Sequence, residues 1–496
     1  MSAAGSVNSA ARAGRPGGAS STVVELTSKA PADSVPVPEP GSYRDRNGGV
    51  FYRDGEVYRG ISARALANWE RLATTRFFRD YAGRGNIVRT ERVNDAIAAG
   101  APWAAVLKHE PVPFVSYPYE WTFGMLKDAA LLHLDLMLAA LEEGFILKDS
   151  SAYNIQWRGA KPVFIDIPSF EVHEEGEPWV GYRQFCELFL YPLMLQAYKG
   201  ADFRPWLRGS LDGMSAGALR PLLSTRDLLR PGVMMHVVAQ DALQRRYSGQ
   251  DRNVRSTLAQ AGFDRSLIVR NVRNLRKIVS GMKAGGGKTE WADYASTHSY
   301  GEADFDAKCG FVREAAGHRR WRRVWDIGCN TGTFSRITAE HADHVVAMDG
   351  DWMAIEALYQ AQKERPDAGL ILPLVVNLSN PSPGQGWRGT ERKPLTERGR
   401  PELTLCLALI HHMVISANIP MADFIRWLAG LGTALVIEFV GREDEMVQTL
   451  LRNKDDQYDD YRLDVFERLL AEHFDIRESR PLKGGKRSIY FALPMS

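Results

Sequence analysis

The sequence predicts an α/β protein whose C-terminal part is a doubly wound, Rossmann-like sheet, preceded by an α+β region. Three observations carry this reading. From about residue 321, short apolar runs alternate with amphipathic segments, as strands joined by helices do. One junction, Val324-Trp-Asp-Ile-Gly-Cys-Asn-Thr-Gly-Thr-Phe-Ser335, is an apolar run that ends in an acid, a glycine turn and a helix start. Upstream of residue 285, a hairpin signal and long apolar helical segments lack that alternation.

The elements follow in order. A length of 496 residues predicts two or three domains. Residues 1–42 are rich in Ala, Ser, Gly and Pro and bury too little apolar surface to offset ordering entropy, so disorder is expected there. In the second region, 43–285, the run Gly49 to Arg59 alternates and turns at Asp54-Gly55, a hairpin signal. Residues 121–143 read as a helix, with Phe123, Leu126, Ala130, Leu134, Met137 and Leu141 at three- and four-residue steps and Gly144 as its cap. Pro162-Val-Phe-Ile-Asp-Ile is a short strand, and 182–198 is a second apolar helix that Pro192 should bend. A basic helix at 266–283 carries Ile268, Val272, Leu275 and Val279 on one stripe, and Gly285-Gly-Gly reads as a flexible join. In the third region, 286–496, strands are expected at 321–327, 344–348, 370–376, 403–410, 433–439 and 488–493.

Composition excludes some functions. Basic residues number 62 and acidic residues 60, so no global charge argument favours nucleic acid. The four cysteines, Cys186, Cys309, Cys329 and Cys406, form no CxxC pair, so reduced thiols and no metal site are expected. The N-terminus lacks a secretory apolar core, and no apolar run is long enough for a membrane span. A soluble cytoplasmic protein is the expectation.

The glycine turn carries the most chemistry. Its glycines let backbone pass close to a ligand where a Cβ would collide. The next strand ends in Met348-Asp349, 23 residues after Asp326, where a Rossmann-type site bonds ribose hydroxyls. The spacing is not GxGxxG. Asp326-Ile-Gly328-Cys-Asn330-Thr-Gly332 instead resembles motif I of class I S-adenosylmethionine-dependent methyltransferases. That resemblance implies a cofactor site made by Asp326, Gly328, Asn330, Gly332, Asp349 and Asn377. In it Gly328 and Gly332 line the methionine portion, Asp326 helps position its amino group, Asp349 holds the ribose and Asn377 meets the adenine amino group. His411 and His412 follow the fourth strand, where one of them is a candidate general base and a structural role is the alternative. The long irregular stretch from Asn380 onward is either a substrate lid or a surface loop. Trp291, Tyr294, His298 and Tyr300 either close over the cofactor or pack in the core.

The N-terminal region has a second constellation. Leu147-Lys-Asp149-Ser-Ser-Ala-Tyr-Asn154, followed by Val163-Phe-Ile-Asp166, resembles the catalytic loop and metal-binding strand of protein-kinase-like enzymes of the aminoglycoside phosphotransferase type. The resemblance implies that Asp149 is the base and that Asn154 and Asp166 bind magnesium. The sequence departs from the pattern: Lys148 precedes Asp149, no Gly follows Asp166, and no glycine-rich phosphate loop or Val-Ala-x-Lys strand is visible. ATP with magnesium is therefore a doubtful cofactor. From about Tyr43 onward, the chain also resembles bacterial nodulation-associated methyltransferases. The expected function is methylation of a small-molecule or glycan-type acceptor by S-adenosyl-L-methionine. The alternatives are a bifunctional kinase/methyltransferase and an inactive binding or scaffold protein.

Overall fold

Asp54 and Gly55 both adopt positive φ, 54° and 79°, so the expected hairpin closes with a two-residue turn that matches strand twist. The structure, a computed structural model, describes residues 35–93, 103–247, 264–285, 302–365, 367–452, 454–455 and 457–495. The glycine join beyond Gly285, and Trp291, Tyr294, His298 and Tyr300, lie outside the described residues. Strands β1 (Val37–Pro38), β2 (Gly48–Arg53), β3 (Glu56–Ile61), β4 (Thr90–Val93) and β5 (Ala105–His109) form an antiparallel sheet in the order β1-β2-β3-β5-β4. Strand β1 lies within the stretch 1–42 where disorder is expected. Its Val37 pairs with Tyr52, because the free edge of β2 offers backbone partners to an extended Val-Pro-Val-Pro segment.

Thr122 caps the long helix Phe123–Glu142 by accepting from the Met125 N–H at 3.2 Å, and Gly144 ends it at φ 80°. This helix is apolar nearly all round and is buried accordingly. It packs against the basic helix Arg265–Gly281, β8 (Lys161–Phe164) and the helix Trp352–Lys363. Two small antiparallel pairs follow, β6 (Phe145–Leu147) with β9 (Phe170–Val172), and the hairpin β7 (Ile155–Arg158) with β8 between them in sequence. The second apolar helix runs in three stretches, Tyr182–Phe185, a π-helical Cys186–Leu190 and Tyr191–Lys199. Pro192, which has no N–H to donate, sits next to this slip in register. The Glu187 carbonyl, which the slip leaves without a helical partner, accepts from the Met214 N–H at 2.9 Å.

Strands β10 (Val324–Ile327), β11 (Val345–Asp349), β12 (Ile371–Val375), β13 (Leu403–Cys406), β14 (Ala434–Val440), β15 (Phe474–Leu482) and β16 (Arg487–Pro494) form the second sheet. Its order is β12-β11-β10-β13-β14-β16-β15, parallel except at β16. The chain moves outward one way from β10 and then the other way from β13, so the crevice between them is the topological switch point. The sequence reading missed β15, whose inner and outer residues alternate without a strong apolar run. The expected strand 403–410 stops at Cys406, before Ala408 takes φ 50°.

The two halves share one hydrophobic core. Phe114 meets Trp325 edge-on at 6.1 Å, and Trp157 meets Tyr359 at 5.6 Å. At the tip of the β7–β8 hairpin, Ala160 N–H donates to the Ala368 carbonyl at 2.7 Å. A Cβ at Gly159 would lie 2.1 Å from that same oxygen, and its φ is +56°. Among the described residues, no helix is long and apolar enough to cross a membrane, no acid, cysteine and histidine cluster could hold a metal ion, and all four cysteines are free.

Three buried histidines in the first half should make stability fall in acid. Burial holds His109 and His133 at about 3 and His236 at about 4. Each uses one ring nitrogen, toward Thr90, Ser150 and Tyr182 respectively, and its other nitrogen is buried without a partner. The unfolded chain takes up protons below its ordinary pKa of about 6.5, while the folded chain does not. Stability should therefore fall as pH drops below about 6.5, by roughly 2 kcal/mol per histidine at pH 5. Thermal melts from pH 7.5 to 5 should show a steep drop in Tm. A flat profile would mean that these rings protonate in place.

Candidate functional site

Strand β10 delivers Asp326 to the carboxyl edge of the sheet, where it is 1 % exposed and accepts the Ser335 hydroxyl at 2.6 Å. Burial pushes its carboxyl up to about 6, and Asp349 adds to this, while Ser335 and Lys308 oppose it. The glycine turn is tied to β11. Gly328 and Cys329 N–H donate to the Met348 carbonyl at 2.8 and 3.0 Å, and Asn330 N–H donates to Asp349 Oδ2 at 2.9 Å. Asp349 Oδ1 accepts from Asp351 N–H at 2.8 Å, so one carboxylate spans the glycine turn and the start of the helix Trp352–Lys363. Burial raises its pKa.

Gly328 and Gly332 both adopt φ 79°. A Cβ at Gly332 would lie 2.6 Å from Leu358, and one at Gly328 would lie 3.3 Å from Leu409. Asn330 takes φ 49°, and its own side chain accepts from Thr331 N–H at 2.7 Å, so it shapes the turn. Asn377 is exposed two residues beyond β12. Its Oδ1 accepts from Ser379 N–H at 3.0 Å and from the Ser379 hydroxyl at 2.7 Å, which leaves its amide hydrogens as donors.

His411 and His412 sit after a turn closed by His412 N–H to the Leu409 carbonyl at 2.9 Å, with ring centroids 4.2 Å apart. His411 is 1 % exposed with both ring nitrogens unpartnered, and burial, followed by His412 and Arg487, holds it well below its ordinary pKa. His412 is half-buried, and burial brings it to about 4.

Beside these residues lies a buried charge network that the sequence reading missed. Glu438 in β14 accepts from Lys308 Nζ at 2.6 Å and pairs with Arg487 at 3.3 Å. Arg487 also bonds Asp444 through Nε at 2.7 Å and Nη2 at 3.0 Å, and Lys483 reaches Asp444 at 3.0 Å. Lys308 Nζ lies 4.7 Å from the Phe334 ring centroid. The available signal was Glu438 itself, an acid inside the apolar run Ala434–Val440, which demands a partner.

In the first half, Asp149, Asn154 and Asp166 come together. The Asn154 amide faces Asp149 and donates to Ser169 Oγ at 3.4 Å, and the Ser169 hydroxyl bonds Asp166. Burial, then Asp166, raises the Asp149 pKa. Arg59 of β3, unnoticed in the sequence, donates to Asp166 Oδ1 at 2.6 Å. Burial pushes Asp166 up, but Arg59 and Ser169 outweigh it and the net shift is down.

The irregular stretch from Asn380 is a strap on the first half. Arg398 and Glu120 form a fully buried two-point pair at 2.6 and 2.7 Å, and the Ser382 hydroxyl joins Glu120 at 2.6 Å. Glu391 accepts from Arg44 at 2.7 Å and Tyr43 at 2.9 Å, and Arg392 lies over the Tyr153 ring at 4.2 Å.

Over 454 residues the chain is 32% identical to Nodulation protein NoeA of Rhizobium meliloti (strain 1021), a match covering 91% of this chain and 94% of that protein. The chain belongs to the NoeA family. No family model matches it. Among solved structures it is similar to the N-methyltransferase NodS from Bradyrhizobium japonicum WM9, at 12% identity and a TM-score of 0.29, over 39% of this chain and 98% of that one. It is also similar to magnesium protoporphyrin IX methyltransferase (ChlM) from Synechocystis PCC 6803, at 15% identity and a TM-score of 0.29, over 42% of this chain and 90% of that one. The bifunctional kinase-methyltransferase WbdD matches at 19% identity and a TM-score of 0.28, over 42% of each chain.

Proposed function

We propose that this NoeA-family chain is an S-adenosylmethionine-dependent methyltransferase acting on a small-molecule or glycan-type acceptor. The observation that carries the reading is the glycine turn lashed to Asp349 at the switch point of the sheet. The residues fit the cofactor. A Cβ at Gly332 would collide with Leu358, so the turn keeps its close packing only with glycine. Each Asp349 oxygen accepts one backbone N–H and retains acceptor capacity for a ribose hydroxyl. Asp326 is held for the amino group of the methionine portion. Asn377, with its oxygen engaged by Ser379, offers donors and so suits a ring nitrogen of adenine rather than its amino group.

The cofactor, when bound, supplies an electrophilic methyl group for in-line displacement. The acceptor proton falls to His412. Leu409 borders Gly328, and His412 follows three residues later on the same face of a helical turn. Burial keeps the imidazole in its neutral, proton-accepting form near pH 7, as a weaker base than an ordinary histidine. His411 backs it as a positioning residue.

We read the first half, 43–285, as a protein-kinase-like domain without phosphate transfer, a reading supported by the approach of Asp149, Asn154 and Asp166. Both Asp166 oxygens are already engaged, one by the Arg59 guanidinium, where a magnesium ion would need them. Calorimetry tests both parts of this reading. S-adenosylhomocysteine should bind, and Gly332→Val should weaken it at least 100-fold, while magnesium ATP should give no heat. Absence of S-adenosylhomocysteine binding by the wild-type protein would remove the methyltransferase reading. Saturable ATP binding would restore the bifunctional alternative.

A further inference from the structure

The short helix Arg204–Gly209 belongs to the first half, yet two of its side chains reach the loops that follow β11 and β12. Arg204 and Arg208 stand four residues apart and so share a face. Arg208 makes a fork onto the turn that begins at Asn377. Its guanidinium donates to the Asn380 carbonyl at 3.1 Å, to Asn380 Oδ1 at 3.0 Å and to the Pro381 carbonyl at 3.0 Å. Gln385 Nε2 answers by donating to the Arg208 carbonyl at 2.7 Å, and Asn380 N–H closes the turn on the Asn377 carbonyl at 3.0 Å. Arg204 covers the other loop. Its guanidinium lies 5.7 Å from the ring centroid of Trp352, the first residue of the helix that Asp351 caps after Asp349. Arg204 is 6 % exposed and pairs with Asp202 at 2.9 Å, while its Nη1 is buried without a partner. Leaving a buried donor unpaired is costly, and Arg204 keeps one beside the Trp352 ring.

We infer that Arg204 and Arg208 are positioning residues for the nucleoside end of the methyl-donor site, so that the first half of the chain completes the cofactor site of the second. The inference rests on the methyltransferase reading and extends it. The loops bearing Asp349 and Asn377 are then held from outside the sheet, and their spacing depends on one helix that bridges them. This gives the first half a task that requires no phosphate chemistry.

The test uses the full chain. Dissociation constants for S-adenosylhomocysteine and for 5′-methylthioadenosine, which lacks the amino-acid end, are measured by calorimetry on wild type, Arg208→Ala, Arg208→Lys and Arg204→Gln. Melting temperatures are recorded alongside. A control variant, Asp128→Asn, loosens the same two halves about two helical turns beyond Trp352, since Asp128 accepts from Tyr359 at 2.5 Å and also bonds Lys363. Arg208→Ala and Arg204→Gln should weaken both ligands about 10-fold and to the same extent. Lysine at 208 should recover little, because a point charge cannot reproduce the three-acceptor fork. Asp128→Asn should leave both constants within about 2-fold of wild type. Equal weakening by Asp128→Asn, or loss of S-adenosylhomocysteine affinity without loss of 5′-methylthioadenosine affinity, would overturn the inference. So would unchanged constants in the arginine variants. A wild-type protein that binds neither ligand would instead bring down the methyltransferase reading beneath it.

Discussion

Replacing His412 by alanine should lower kcat by about 10²–10⁴-fold, the usual cost of losing a general base, with S-adenosylhomocysteine affinity within about 2-fold of wild type. The acceptor for this measurement is whichever member of a small-molecule and glycan panel turns over fastest. The separation of effects follows from geometry. Leu409, not His412, borders the glycine turn, so the alanine removes a proton acceptor and leaves the cofactor cradle intact. The pH profile adds a second readout. Because burial brings His412 to about 4, its base form persists well below neutrality. The rate should therefore be flat from about pH 8 to 6, without the inflection near 6.5 that an ordinary histidine gives. His411→Ala should cost less, since His411 acts through the neighbouring ring 4.2 Å away. If His411→Ala carried the larger loss and His412→Ala left kcat unchanged, the roles of the two rings would be reversed.

The parts of this molecule that were legible in its sequence are those decided locally. The Asp54-Gly55 hairpin, the helix from Phe123 and the glycine turn at Gly328 each depend on backbone preferences or a period confined to a few residues. Asp349 was legible because strand and helix lengths in a doubly wound sheet fix its offset from Asp326. What escaped is what long-range pairing decides. Arg59 lies 107 positions from Asp166, and Arg398 lies 278 positions from Glu120. Nothing in the neighbourhood of any of these residues signals its partner. The basic stretch after Asn380 illustrates the limit. By composition it is an exposed loop, yet Glu391 and Arg398 are buried because Tyr43, Arg44 and Glu120 receive them, and Lys393 pairs with Glu39. The histidines near β13 and in the first half were likewise visible as residues, but their neutral state follows from long-range burial and, for His411, from neighbouring cationic groups as well.

Arg487→Met should destabilise the fold by about 3–5 kcal/mol, the cost of stranding buried charge. Arg487 opens β16, is fully buried, and holds two carboxylates from different elements, Glu438 of β14 and Asp444 ahead of the helix Glu445–Leu451. Methionine fills most of the volume but leaves Glu438 with Lys308 and Asp444 with Lys483 and the Met446 N–H at 3.0 Å. The sign of the pH dependence follows from Asp444. Burial pushes its carboxyl up, but bonding to Arg487 and other donors outweighs burial and brings it down to about 2. In the wild type, this stabilisation is present above the ordinary carboxylate range and is lost as pH falls through about 2. In Arg487→Met both carboxylates lose a buried cation, so the deficit relative to wild type should be largest near pH 7 and shrink as pH falls and they protonate. The acid lability from His109, His133 and His236 is common to both proteins and cancels in the difference. Denaturant midpoints at pH 7 and 5.5 measure this directly. Adding Glu438→Gln to Arg487→Met should recover part of the loss, because an amide at that site carries no uncompensated charge. A deficit independent of pH, with no recovery in the double variant, would mean that Arg487 contributes through packing and not through its charge.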